Sequence, residues 1–123
     1  MAKVEKVTLT EKLARIPDAW NPRLIAELNG QHVKLVRLQG PFVWHHHEHE
    51  DELFFVIRGR MRLELRGDDP IELGPGELVV VPRGVEHRPV ALDEAEVMLF
   101  EPAGTVNTGN VREERTRDRL ERV

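Results

Sequence analysis

The chain has 123 residues, a length that suits one domain with its own hydrophobic core. It contains no cysteine and no tyrosine, which excludes disulfides, thiolate metal sites, cysteine nucleophiles and phenol chemistry. The formal net charge of −4 gives no electrostatic reason to expect nucleic-acid binding. The longest apolar run is far shorter than the ~18 residues of a membrane-spanning helix, and the N-terminus lacks the apolar core of a signal peptide. We therefore expect a cytoplasmic protein without a membrane partner.

The segment from Thr8 to Trp20 is predicted to be helical. Thr8 and Glu11 have the spacing of a capping box, in which each side chain binds the other residue's backbone amide. Pro17 is expected to end or bend the helix. One face of this helix is apolar, because it carries Leu9, Leu13, Ile16 and Trp20. A helix this short needs that face to dock on another surface.

From Pro22 onward the chain consists of short β-rich runs separated by turn residues. Asn29-Gly30 is the strongest hairpin signal, because both positions accept positive φ. Arg58-Gly59-Arg60 is interpreted as another turn. The clearest predicted strands span 24–28, 31–38, 42–47, 53–57, 61–66, 78–81, 86–90 and 96–101. About nine or ten short strands, with a turn roughly every ten residues, predict an all-β sandwich or barrel.

The predicted elements divide the chain into three parts. Residues 1–21 form an N-terminal helical segment, residues 22–101 form the β-barrel, and residues 102–123 form a loop followed by a charged tail. Residues 111–123 hold five arginines, three glutamates and one aspartate. Such a tail is either solvated chain or a short helix with many ion pairs.

Four of the six histidines lie between Trp44 and Glu52. A histidine in a strand is more often a core residue than a ligand, and adjacent histidines can also form a polar loop. In a strand, however, His45 and His47 would point to one face and His46 to the other. Glu52, at the start of the next strand, can turn back to the face of His45 and His47. This set of nitrogen and carboxylate donors suits one divalent transition metal, namely Mn, Fe, Co, Ni, Cu or Zn.

Two motifs in the chain resemble the two signatures of the cupin superfamily. Residues 40–59 have the pattern G-x4-H-x-H-x4-E-x6-G, and residues 76–91 have the pattern G-x5-P-x-G-x2-H-x3-A. The first glycine usually precedes the first histidine by one more residue, and the second signature usually ends in Asn where this chain has Ala91. The alanine at position 91 weakens the inference of any specific cupin activity for this chain. Residues 44–65, 82–90 and 101–109 are also similar to a small single-domain bacterial subgroup labelled mannose-6-phosphate isomerase-like.

The resemblance implies a double-stranded β-helix, the jelly-roll barrel, with metal ligands at His45, His47, Glu52 and His87. The residues themselves support His87, because Pro82 and Gly84 supply a tight turn that can deliver a ligand from a distant strand. Three neutral imidazoles and one carboxylate around a divalent ion leave a net charge of +1, which favours anionic or oxygen-rich ligands.

The pocket beside the metal is predicted to be apolar. Val43, Phe54 and Val56 share the phase of the ligands along their strands and are predicted to line it. The charged strand residues could anchor a substrate, but such residues more often lie on solvated faces, and none is selected as an anchor; they are Lys34, Arg37, Arg62 and Arg88. No catalytic residue can be named from the sequence.

Two functions remain open. One is a metal-dependent enzyme of the isomerase or epimerase, lyase or dioxygenase class, acting on a small polar metabolite. The other is a binding module that holds a metal and a small ligand without turnover, as a sensor or accessory protein. An acid or base within hydrogen-bond reach of the open metal positions would favour an enzyme. An apolar pocket would favour ligand binding or metal-centred oxygen chemistry.

A homodimer is expected as well. Phe55 and Ile57 point away from the ligand face and need an apolar cover, and large apolar patches are uncommon on monomers. The alternative is that the N-terminal helix and a second sheet of the same chain provide that cover.

Overall fold

The computed structural model describes residues 3–123. Within that range it has one short helix, α1 (Leu9–Leu13), and six strands. The strands are β1 (Arg23–Leu28), β2 (Gln31–Pro41), β3 (Glu52–Leu65), β4 (Ile71–Leu73), β5 (Leu78–Val81) and β6 (His87–Pro102). They pair antiparallel in the order β1-β2-β6-β3-β4, and β5 also pairs with β3. The all-β prediction is confirmed. None of the helical residues described forms a stretch long and apolar enough to cross a membrane.

Two long strands replace four of the predicted short ones. The predicted strands 53–57 and 61–66 are one 14-residue strand, β3, and 86–90 and 96–101 are joined in the 16-residue β6. Gly59 is therefore not in a turn but lies within β3. Its φ is +83°, and the pairing of β3 with β6 shifts register on both sides of it, as in a β-bulge. A side chain there would collide with the Glu94 carbonyl. A bulge and a turn both favour glycine, which is why the two look alike in the sequence.

The predicted helix is much shorter than expected. α1 ends at Leu13, and Thr8 makes no side-chain capping bond, so the capping-box prediction is wrong. The chain continues in tight turns, in which Arg15 N–H and Ile16 N–H bind carbonyls three residues back. Trp20 then adopts a positive φ of 60°. Its side chain consequently joins a different core from that of Leu13.

The protein has two hydrophobic cores, one on each face of the sheet. The inner core lies within the curved sheet and includes Trp20, Phe42, Phe54, Val56 and Val97. The outer core lies between the N-terminal segment and the outer face of the sheet; it contains Leu13, Ile16, Ile25 and Leu35, with Ile57 and Met98 packed against it. The chain's own N-terminal segment therefore covers Ile57.

The C-terminal segment is neither helical nor free of the barrel. Leu24 N–H donates to the Glu121 carbonyl at 2.9 Å, and Val123 N–H donates to the Leu24 carbonyl at 3.1 Å. The Lys12 ammonium reaches the Val123 carbonyl oxygen at 2.7 Å. The last residues thus run beside β1 and tie the N-terminal segment to it.

Candidate metal centre

The four predicted ligands come from three places in the chain. Glu52 is the first residue of β3 and His87 the first of β6. His45 and His47 lie between β2 and β3, in a segment that is irregular apart from one bridge between His45 and His87. The predicted strand 42–47 is therefore not a regular strand, although the alternation persists: His45 and His47 are buried and His46 is half-buried.

Backbone hydrogen bonds hold these segments together. His45 N–H donates to the His87 carbonyl at 3.0 Å, and His87 N–H donates to the His45 carbonyl at 2.9 Å. Gly84 N–H donates to the His47 carbonyl at 2.8 Å. The turn that contains Gly84 therefore places His87 against the histidine segment, as the sequence motif suggested.

The structure brings the four side chains into one cluster, the metal cluster, formed by His45, His47, Glu52 and His87. One donor atom from each lies within 4.8 Å of all the others. Each residue is at most 4% exposed. Glu52 Oε1 lies 3.4 Å from His47 Nε2 and 3.3 Å from His87 Nε2. Within the described residues this is the one group of His, Asp and Glu with such spacing.

Two of the imidazoles are oriented by backbone carbonyls. His45 Nδ1 lies 2.9 Å from the Val43 carbonyl, and His87 Nδ1 lies 2.9 Å from the Val85 carbonyl. A carbonyl only accepts hydrogen bonds, so each Nδ1 carries the proton and each Nε2 keeps its lone pair. Metal-binding histidines are commonly fixed in this way.

The cluster contains buried polar atoms without partners. His47 Nε2, Glu52 Oε1 and His87 Nε2 are buried and make no hydrogen bond. Leaving such atoms unpaired costs about 1–3 kcal/mol each. These are the atoms that a cation at the centre of the cluster would bind, so the residues present fit one divalent ion.

The electrostatics of the cluster also suit metal ligation. Burial, together with neighbouring His87, lowers the pKa of His45 to about 4, so its imidazole is neutral at pH 7. Burial alone would raise the pKa of Glu52, but the nearby imidazoles of His47 and His87 hold that pKa well below the ordinary value. A neutral imidazole and an ionised carboxylate are the forms that coordinate metals.

The sequence prediction missed two buried groups beside Glu52. Glu101 is 1% exposed and Lys34, which was expected to be solvated, is 2% exposed; Lys34 Nζ donates to Glu101 Oε1 at 2.7 Å. Burial and the Glu52 carboxylate raise the pKa of Glu101 well above its usual range. The one available signal was the alternation of β6, which puts Glu101 on the same face as Val97 and Leu99.

The remaining histidines do not join the cluster. His46 is held through its backbone, whose N–H donates to Asn110 Oδ1 at 2.9 Å. His49 is exposed. His32 lies in the first hairpin, 3.1 Å from a Glu27 carboxylate oxygen.

A small apolar cavity adjoins the cluster at Glu52. It has about 30 Å³ open to the centres of water molecules, room for about two waters. Its lining comprises Trp20, Pro22, Val36, Leu38, Phe42, Glu52, Phe54, Pro89, Leu99 and Asn107. Glu52 and Asn107 are its two polar members.

One of the three predicted pocket residues, Phe54, lines this cavity. Val56 has the right phase, but it lies fully buried within the inner core. Val43 shares the phase of the ligands and packs half-buried against that core, but it does not line the cavity.

Comparison with known proteins assigns the fold. Residues 34–101, which hold all four cluster residues, match the cupin domain family. The chain belongs to the cupin family. A cupin-2 domain containing protein from Shewanella frigidimarina NCIMB 400 is 42% identical, with a TM-score of 0.76 over 78% of this chain and 93% of that one. Protein NMB1881 from Neisseria meningitidis is 31% identical, with a TM-score of 0.74 over 80% of this chain and all of that one. These similarities confirm a small single-domain cupin with the jelly-roll fold.

One curated relative, the uncharacterized protein YdbB of Bacillus subtilis (strain 168), is 33% identical over 64 residues. The match covers 52% of this cupin and 57% of that protein. This cupin therefore aligns with little more than half the length of YdbB. The mannose-6-phosphate isomerase-like subgroup remains a prediction from the sequence.

Proposed function

We propose that this cupin is a metal-dependent enzyme of the dioxygenase class, in which the metal performs the chemistry and the chain binds and shields a small metabolite. The observation that carries the proposal is the cavity beside Glu52. Apart from that ligand, Asn107 is its one polar lining residue. An isomerase or lyase needs a positioned acid or base to move protons. None lines this cavity outside the metal cluster, and Glu101, the acid beside Glu52, is bound by Lys34 and does not reach the cavity wall.

His45, His47, Glu52 and His87 would hold the ion. A redox-active divalent ion with open positions supplies Lewis acidity and electrons for dioxygen chemistry. The chain itself fixes the histidine tautomers through the Val43 and Val85 carbonyls and keeps water away with the apolar cavity walls. Oxidative cleavage of a substrate bond can supply all four electrons that dioxygen takes up, so such a reaction needs no reductant from elsewhere.

The substrate class follows from the charge and size of the site. A centre with net charge +1 favours an anionic or oxygen-rich head group, and the walls favour a compact apolar body. The cavity holds only a few atoms, and the C-terminal segment covers it: Asn107 lines it, and the Arg115 guanidinium lies 4.6 Å from the Phe42 ring centroid. A larger substrate would have to displace this segment.

The second candidate is a binding module without turnover. The same apolar lining supports it, since a cavity without an acid or base can hold a ligand without transforming it. The two functions differ in their products, because a binding module returns its ligand unchanged.

The test compares metals in one protein preparation. Protein stripped with a chelator is loaded with Fe(II), Mn(II), Co(II), Ni(II), Cu(II) or redox-inert Zn(II), then mixed with small carboxylates, diketones and thiols under labelled dioxygen. We expect oxygen uptake and labelled product with at least one redox-active ion and none with Zn(II). Equal turnover with Zn(II) would contradict oxygen chemistry.

Ligand binding is followed separately through Trp20, which lines the cavity. Trp44→Phe removes the other tryptophan and leaves Trp20 as the fluorescent reporter. A change in Trp20 emission on addition of a ligand, without product for any metal, would identify a binding module.

We also propose that the protein acts in the cytoplasm and as a homodimer. The apolar outer surface of β5 supports the dimer: Leu78 is 56% exposed and Val80 is 51% exposed. They pair with Phe55 and Leu53 of β3. Together these side chains form an apolar strip that a second copy could cover.

A further inference from the structure

Three ionisable side chains form a row across the inside of the barrel. Lys34 lies on β2, Glu101 on β6 and Glu52 on β3, and β6 is paired with both neighbours. None is more than 3% exposed. The row ends at the metal cluster, because Glu52 belongs to both.

The contacts in this row are direct. Lys34 Nζ donates to Glu101 Oε1 at 2.7 Å and lies 3.4 Å from the Thr105 carbonyl oxygen. Leu53 of β3 pairs with Phe100 of β6, so the adjacent residues Glu52 and Glu101 lie opposite each other on neighbouring strands. The second Glu101 oxygen, Oε2, is buried, and no N–H or O–H group donates a hydrogen bond to it. Glu101 is thus held by Lys34 on one side and is free to face Glu52 on the other.

The order of charges explains why such a row can be buried. Two adjacent carboxylates in a protein interior repel each other, and a buried ion pair by itself contributes little stability because both charges lose their water. In this row the two carboxylates lie between a lysine at one end and the cation position at the other. A cation in the metal cluster would favour the ionised form of both carboxyl groups, because it would offset the charge that Lys34 leaves uncompensated.

We propose that Lys34 and Glu101 are positioning residues for Glu52: they hold its carboxylate in the orientation that ligates the metal. This inference rests on the proposed metal centre. Glu52 is the only carboxylate of the metal cluster, so its orientation affects the affinity for the ion and the geometry around it. Neighbours that orient metal ligands typically change metal affinity about 10–100-fold when removed.

The barrel also contains a matched control. Arg37 and Glu96 form another close ion pair between β2 and β6, with Arg37 Nη1 2.7 Å from Glu96 Oε2. This pair lies on the outer face, where Arg37 also binds the Ile16 and Leu13 carbonyls at 2.6 Å each. Removing Glu96 tests the loss of an ion pair between the same strands without touching Glu52.

The experiment compares Glu101→Leu, Glu101→Gln and Glu96→Leu in the full chain. Three quantities are measured: the Co(II) dissociation constant by chelator competition, the visible spectrum of the Co(II) form, and the urea midpoint of the metal-free protein. We expect Glu101→Leu to weaken Co(II) binding 10–100-fold and to shift the spectrum. Glu101→Gln keeps an acceptor for Lys34 and a hydrogen-bonding group for Glu52, so it should stay within about threefold of wild type. Glu96→Leu should lower the urea midpoint and leave both Co(II) readouts unchanged.

If Glu101→Leu does not fold, Lys34→Met replaces it, with the same expected loss of affinity and spectral shift. Wild-type affinity and spectrum in whichever of these variants folds would overturn the positioning role and show that the pair only fills the barrel. Failure of the wild-type protein to bind Co(II) at all is a different result, which would overturn the metal centre on which the inference rests.

Discussion

Two groups of ionisable side chains, one around the half-buried Arg37 and one in the buried metal cluster, differ in whether their polar atoms have partners. In the Arg37 group on the outer face, the guanidinium binds the carbonyls of Ile16 and Leu13 and the carboxylate of Glu96. In the metal cluster, the Nε2 atoms of His47 and His87 and a Glu52 oxygen have none. A group whose bonds are complete holds the fold together, here by fastening the N-terminal segment to β2. A buried group whose bonds are incomplete is a site for something that supplies them.

The largest expected effect is the loss of metal from the metal cluster, whose polar atoms lack partners. His47→Ala or His87→Ala removes one ligand and should weaken binding of Co(II) or Zn(II) by more than about 100-fold. His46→Ala is the control, because its imidazole lies outside the cluster. Dissociation constants measured by chelator competition check this. Similar losses in all three variants would show that the alternation along residues 45–47 does not select the ligands.

Acid should affect the stability of the metal-free protein through the same group. The pKa of His45 is lowered to about 4 by burial and by His87. Between pH 6.5 and pH 4 the unfolded chain therefore binds a proton that the folded chain does not. Stability contributed by neutral His45 is complete above pH 6.5 and lost as the pH falls to 4, by up to about 3 kcal/mol.

Urea unfolding at several pH values in the presence of a chelator measures this loss. His45→Gln should reduce the slope between pH 6.5 and pH 4, since the titrating group is gone. A slope unchanged by that substitution would place the acid sensitivity elsewhere.

Substitution in the Arg37 group should lower the stability of the fold and leave metal binding unchanged. Arg37→Met leaves two carbonyls and the Glu96 carboxylate without their donor, and should cost about 2 kcal/mol of unfolding free energy. It should leave metal affinity unchanged, because Arg37 lies on the outer face. Urea midpoints and Co(II) titrations of one preparation measure both effects. Weakened Co(II) binding in a folded Arg37→Met protein would remove the distinction between the two groups.

The apolar strip on β5 extends the comparison to the surface, since exposed leucine and valine side chains also lack partners. We expect a homodimer of the 14.2 kDa chain, with Leu78 and Val80 at its contact. Sedimentation at micromolar concentration should give twice the chain mass, and Val80→Lys should give single chains. Wild-type protein that sediments as one chain would contradict the dimer.

The parts that could be predicted from the sequence depend on local chain geometry. Asn29-Gly30 forms the hairpin turn with φ of 49° and 74°. His45 and His47 lie on one side of the chain because alternation holds even in an irregular extended segment. Both features need only a few neighbouring residues.

The parts that could not be predicted depend on contacts distant in sequence. Lys34 and Glu101 are 67 residues apart. The alternation of β6 puts Glu101 on the inner face, but no local pattern pairs it with Lys34. The Glu94 carbonyl of β6 lies close to Gly59 on the neighbouring strand β3, at a run of register shifts between the two strands. The helix ends early because the side chains after Leu13 pack into two separate cores.

The central claim is that the unpartnered atoms of the metal cluster bind one divalent ion. Elemental analysis of protein purified without added metal, together with a titration of the stripped protein, tests it directly. We predict about one transition-metal ion per chain, or uptake of one ion after stripping, and neither in His47→Ala. A stripped protein that refolds normally and takes up no ion at the cluster would contradict the account.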